Sequence, residues 1–321
     1  MTRIVLSTGN IVTAGPSIIR KPGAYRSNLE LTNSLRSNIE AAQEDYGSIP
    51  LTNGHGNGTE PHTNGNGHTV NGDSRPDIDV WTATEDDVLY VPRIEWATGG
   101  LQEDREQYEI TLKLFFLPTA SSAKRIEYIN EALRLVKKEL LVEHIDLLIV
   151  SFPGISFEGD CEWEADRINA TMGNEEEELT TWAVLESLHD QGKVGRLGLA
   201  EFGTDKLQRF VKNVRVRPAV NQINIKDCCS VPPPLAKLAR NEGIELLTHR
   251  DCTDVLPSGT LRELLGPGPQ GAGILADDKT GREGLRGDLV PEWVAKYTAF
   301  VKYRGVIENK GYFAGAELVA T

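Results

Sequence analysis

The chain has 321 residues, 39% hydrophobic and 25% charged, which suffices to bury the core of one large α/β domain or two smaller ones. Its formal net charge of −13 argues against nucleic acid and anionic membrane surfaces as partners. No apolar run reaches the roughly 20 residues of a membrane helix, and the start is too short and polar for a secretory signal. The four cysteines, Cys161, Cys228, Cys229 and Cys252, form neither a disulfide scaffold nor a zinc pattern, so a cytoplasmic, reducing setting is expected.

Residues 3–13 read as a short strand region, and 27–44 as an amphipathic helix carrying Leu29, Leu31, Leu35 and Ile39. Residues 52–76 have almost no apolar side chains and are rich in Gly and Asn. Such a segment cannot offset its ordering entropy, so it reads as a disordered insertion. Its histidines, His55, His62 and His68, read as incidental to a polar linker, and no metal site is expected. Regular structure follows: a strand over 109–117, then a helix over 121–142 capped by Ser121 or Ser122, with Ile126, Ile129, Leu133, Val136 and Leu140 on one face. Residues 145–150 read as a buried strand. Residues 175–193 read as a helix with Glu175–Glu178 in its first turn and Gly192 past its end.

The alternation continues with a strand (194–202), a helix from Thr204 or Asp205, a strand (218–225), a proline-opened helix (232–243) and a strand (244–249). Residues 257–290 read as a second irregular insertion with a helical turn at Leu261–Leu265, and 293–305 as a helix. The βα spacing implies a parallel sheet, and the number of units favours a closed (β/α)8 TIM barrel forming a single domain over 1–321. An open doubly wound sheet is the alternative, weakened by the lack of a Gly-x-Gly-x-x-Gly turn after the first strand.

Three segments, IDLLIVSFP (145–153), QGKVGRLGLAEF (191–202) and PAVNQINI (218–225), resemble strands of the aldo-keto reductases. NQINIKDCCSVPPPLAKLARNEGIELLTHRD (221–251), WVAKYTAFVKYRGVIENKGY (293–312) and Ser-Thr-Gly-Asn-Ile (7–11) resemble the regulatory (modifier) subunits of glutamate–cysteine ligase. That resemblance implies a barrel of aldo-keto reductase type without catalysis of its own. It would work as a heterodimer with the ligase catalytic subunit, improving glutamate use and relieving glutathione feedback inhibition.

The resemblance also locates a former active site. Carbonyl reduction by NADPH needs a protein acid, in this family a tyrosine tuned by Lys, Asp and His, because a phenol with pKa near 10 is otherwise a poor donor. Lys113 matches the family's Lys, although a strand Lys snorkelling to the barrel mouth explains it equally well. The His position falls on Ser151. The Asp-x-Ala-x-x-Tyr segment is not found, and Tyr25, Tyr46 and Tyr90 lack its context.

Asn221 and Gln222 match the pair that touches a nicotinamide amide. Ala200–Glu201 replace Ser-Asn, His249 takes the ring-stacking position, Arg250–Asp251–Cys252 replace the pyrophosphate segment, and Lys310–Gly311 stand where a ribose phosphate would be read. NADPH is therefore possible but not required. The alternatives are an NADPH-dependent aldo-keto reductase or an NADPH-binding pseudoenzyme. Cys228 and Cys229 are either small buried hydrophobes or a redox-sensitive or partner-contacting pair.

Overall fold

A computed structural model describes residues 2–13, 26–47, 75–224, 230–276 and 284–319. The Asn/Gly-rich insertion, apart from Arg75 and Pro76, lies outside these residues, as do Tyr25 and the Cys228–Cys229 doublet.

The apolar, β-branched runs form the expected parallel series. Strands β4 (Tyr108–Phe116), β5 (Ile145–Ser151), β6 (Val194–Ala200), β7 (Val220–Asn224) and β8 (Glu245–His249) pair in chain order. The crossovers carry α3 (Arg125–Leu140), α4 (Glu162–Asn169) with α5 (Glu175–Asp190), α6 (Thr204–Asn213) and α7 (Pro233–Glu242). Helix α5 starts where the Asn174 side chain accepts the Glu177 N–H at 3.3 Å, and its four first-turn glutamates complement the helix dipole. Helix α3 begins later than expected, after a 3₁₀ turn at Ser122–Lys124, and Ser121 makes no cap hydrogen bond.

One core lies between the helices and the sheet. Ile129, Leu133 and Val136 of α3 and Trp182 and Leu185 of α5 join Leu112, Leu148 and Leu197 of the strands. Trp182 and Phe202 both meet Phe210 edge-on at 5.2 Å. Ile126, expected on the buried face, sits in the first turn of α3 and is exposed.

A second core involves β1 (Thr2–Ser7). Ile4 and Leu6 pack with Leu31, Leu35 and Ile39 of α1 (Ser27–Gly47) and with Leu261, Leu264 and Leu265 of α8 (Thr260–Leu265). The short helix α2 (Ile78–Trp81) adds Trp81 to this cluster. The 257–290 segment therefore holds the expected helical turn but also the first residues of a strand, and residues 277–283 are outside the described set.

That strand corrects the sequence reading. Residues 293–305 are not a helix. They belong to β9 (Asp288–Val301) and the turn after it, and β9 forms a long antiparallel hairpin with β10 (Val306–Val319). Ala295, Tyr297, Ala299 and Val301 are buried at a period of two, with Lys296, Thr298 and Phe300 between them. Gly315 allows the hairpin to close, because a Cβ there would lie 2.2 Å from the Trp293 indole.

The full row is β2-β3-β1-β10-β9-β4-β5-β6-β7-β8, with β2 (Ala83–Glu85) and β3 (Val88–Val91) beside β1. The α/β architecture and its βα units are as expected. The difference is local: the hairpin stands between the β1/β3 parallel pair and the β4–β8 series, and no ladder joins β2 to β8 among the described residues.

Candidate functional site

The hairpin positions the most unusual cluster in the molecule. β9 runs antiparallel to β4 with Lys113 directly opposite Lys296 and Thr111 opposite Thr298, while β10 sets Lys310 opposite Thr298. Like charges in directly facing positions destabilise a sheet. Asp251, just past β8, answers both amines: Oδ2 accepts from Lys113 Nζ at 2.9 Å and Oδ1 from Lys296 Nζ at 2.7 Å. Lys113 is 4% exposed and Asp251 7%. Burial lowers the Lys113 pKa, partly opposed by the Asp251 carboxylate. Burial alone would raise Asp251, but the Lys113 and Lys296 charges outweigh it and hold the carboxyl well below its usual range.

His249, at the end of β8, extends the cluster. The Asp251 N–H donates to His249 Nδ1 at 3.1 Å, which places the ring proton on Nε2. Nε2 lies 2.5 Å from Glu201 Oε1, off the alignment of a hydrogen bond. Glu201 follows β6 with φ +65°, a left-handed conformation unusual for a residue with a side chain. Its Oε2 accepts the Asn224 N–H at 3.1 Å and its carbonyl accepts Asn169 Nδ2 at 2.7 Å, so neighbouring elements impose the geometry.

Two cavities flank the ion pairs and share Lys113, His249 and Asp251. The first, about 450 Å³, is polar: Lys296, Lys310, Arg250, Glu30 and Gln222 line it together with Thr111, Thr298 and Ser27. The second, about 310 Å³, is bounded by Phe115, Phe116, Phe152, Ile155, Ser151 and Cys252. Cys252 Sγ bonds Asn28 Oδ1 at 3.2 Å.

Of the residues singled out from sequence, Lys113, Gln222, His249, Arg250, Asp251 and Lys310 meet at the first cavity, and Ser151, Glu201 and Cys252 line the second. Asn221 is elsewhere. Its fully buried carboxamide donates to the Phe202 carbonyl at 2.7 Å and accepts the Phe202 N–H at 3.4 Å. Tyr90 OH is engaged by Arg134 at 2.6 Å and Tyr46 OH reaches Glu95 at 3.4 Å, both away from these cavities. Among the described residues no tyrosine lines either cavity and no three His, Cys, Asp or Glu side chains cluster to hold a metal.

Sequence reasoning missed Lys296, hidden by the helix reading, and the pairing of Asp251 with it. It also missed Glu30, whose Oε2 accepts from Lys310 Nζ at 2.8 Å. The strand alternation of β9 was the available signal for Lys296; nothing local pointed to Glu30.

The residues present do not fit hydride transfer from a nicotinamide cofactor. The Asn221 amide that would hold the ring is spent on Phe202. A serine stands where imidazole would assist. What the arrangement offers is a cationic cavity suited to anions.

The model of the aldo/keto reductase family matches residues 94–312, more than half of the chain. Among curated proteins the chain is similar to the glutamate–cysteine ligase regulatory subunit of Homo sapiens, at 27% identity over 215 residues, covering 67% of this chain and 68% of that protein. It is similar to the subunit of the same name from Bos taurus at 26% identity over the same length and coverage. Among solved structures it is similar to a Bombyx mori aldo-keto reductase in complex with NADP, at 22% identity and TM-score 0.30, covering 43% of this chain and 40% of that one. An aldo-keto reductase from a deep-sea metagenome library gives 20% identity and TM-score 0.34, covering 56% and 51%.

Proposed function

The chain belongs to the aldo/keto reductase family, and within it we propose that it acts as a non-catalytic regulatory subunit of glutamate–cysteine ligase. It binds the catalytic subunit as a heterodimer, improves use of glutamate and relieves feedback inhibition by glutathione. The observation that carries this reading is its similarity, over two thirds of the chain, to proteins that bear that name in mammals. The site supports it from the other side: Ser151 stands at the histidine position, and no tyrosine is among the described residues that line the cavities. NADPH is not required for this role. A cytoplasmic setting belongs to the same reading, and among the described residues no helix is long and apolar enough to cross a membrane.

A binding partner changes an enzyme's substrate affinity only by favouring one of its conformations over another. A tenfold change in affinity corresponds to about 1.4 kcal/mol of such preference. The test is the glutamate KM of purified catalytic subunit with and without an equimolar amount of this chain. A clear fall, with a 1:1 complex on a sizing column, is the expected result. An unchanged KM with no complex overturns the reading. NADPH oxidation over an aldehyde panel is expected to stay at background; saturable turnover would return the chain to the reductases.

A further inference from the structure

We propose that the polar cavity between β4, β7, β9 and β10 is a binding site for a small amino-carboxylate. Its carboxylate is seated among Lys296, Lys310 and Arg250, and its N–H group is held by Gln222.

The charge of the site comes first. Lys113 and Lys296 share a single carboxylate, Asp251. Lys310 is balanced by Glu30, but Arg250 has no ion pair among the described residues. Four cations therefore face two carboxylates in one cavity, a surplus that an anionic ligand would neutralise. The facing Lys113–Lys296 arrangement costs stability.

The second observation is independent of charge. Gln222 Oε1 is buried and has no hydrogen-bond partner, a rare condition that calls for a missing donor. An ionised carboxylate alone cannot supply that donor; a ligand that also carries an ammonium or amide N–H can.

The third is shape and lining. About 450 Å³ suits a small metabolite. Among the described residues His249 supplies the one ring on the lining, a smaller stacking face than a tyrosine or tryptophan would offer a base. The two carboxylates, Glu30 and Asp251, disfavour a multiply charged phosphate relative to a carboxylate. Thr111, Thr298 and Ser27 add hydroxyls that can both donate and accept.

Carboxylate binding rests on the cavity; the choice of L-glutamate and glutathione as probes rests on the regulatory-subunit reading. The experiment is isothermal titration of the full-length chain alone with L-glutamate, glutathione, glutarate, inorganic phosphate and NADPH. Saturable binding of L-glutamate or glutathione is expected, with glutarate, which lacks an N–H, binding more weakly. Lys296→Gln keeps the Lys113–Asp251 pair, so it should fold, and it should weaken binding about tenfold or more. Lys193→Gln, a loss of the same charge elsewhere, should leave binding unchanged. Gln222→Met should erase the advantage of glutamate over glutarate.

Three results would overturn the proposal: no saturable binding of either amino-carboxylate, equal binding by Lys296→Gln, or binding of phosphate or NADPH only. Because the titration uses the isolated chain, a complex that forms normally without ligand binding sinks this proposal alone. Ligand binding without a complex sinks only the regulatory reading.

Discussion

Among the described residues two lysines are buried, and they are treated differently. Lys206, at the start of α6, meets Glu178 of α5 at 2.7 Å and also donates to the Met172 carbonyl at 2.9 Å. That pair is balanced, one cation to one carboxylate, inside the helical layer. Lys113 sits instead in a cluster of two amines around Asp251, beside an open cavity. A balanced buried pair fixes how two helices pack. An unbalanced one leaves charge available, which marks the cavity rather than the helical layer as the place where this molecule meets something else.

The largest effect should come from Asp251→Asn. It leaves Lys113 facing Lys296 without a counter-charge, and a loss of about 3–5 kcal/mol is expected in urea unfolding. Glu178→Gln should cost about 3 kcal/mol, the lower end, because Lys206 keeps its carbonyl partner. Here the comparison can be broken. Replacing both members with Lys206→Met and Glu178→Leu should recover most of the loss, whereas Lys113→Met with Asp251→Leu should recover less, since Lys296 stays unanswered. Equal recovery in both would mean the cavity cluster is only another structural ion pair.

Asn221→Ala should cost about 1–3 kcal/mol by stranding the Phe202 backbone groups. It should change no ligand titration, which separates its structural role from that of neighbouring Gln222.

The smallest effects are those of pH. Asp251 is held below its unfolded value near 4, so its contribution is present above that value and fades as pH falls beneath it. Burial raises Glu178 despite Lys206, so its contribution has the opposite sense: stability declines as pH rises from the usual carboxylate range through its elevated pKa. Unfolding midpoints across pH should show Asp251→Asn losing part of the acid limb and Glu178→Gln losing part of the decline above it.

The βα series was legible because local pattern and tertiary burial agree there. In α3 the residues Ile129, Leu133, Val136 and Leu140 carry the helical period into the core. Residues 293–301 were misread because they satisfy two templates. Trp293, Val294, Tyr297, Phe300 and Val301 fall at helical spacing, while Ala295, Tyr297, Ala299 and Val301 alternate. The β-branched and aromatic content, and pairing to β4 and β10, decided for the strand.

That misreading hid Lys296, and with it half of the site. Of the Asn221–Gln222 pair, the structure brings Gln222 alone to the cavity. Adjacent residues of a strand point to opposite faces, so only one of the two reaches the cavity. The Lys113–Asp251 and Lys310–Glu30 pairs join residues 138 and 280 positions apart, separations at which composition and spacing carry no information.

The place of β10 has a consequence for the chain as it is made. Thr8 and Tyr312, 304 residues apart, are hydrogen-bonded neighbours, and β10 lies between β1 and β9 in the interior of the row. On the ribosome, β1 with β3 and the β4–β8 series could each pair early. Their facing edges, on β1 and β4, would stay open until residues 288–319 emerged to bridge them. Such late closure is slow and leaves unpaired strand edges exposed during synthesis. Nascent chains stalled before residue 288 should therefore be protease-sensitive at β1 and bound by chaperones, and release of the hairpin should be the event that ends both.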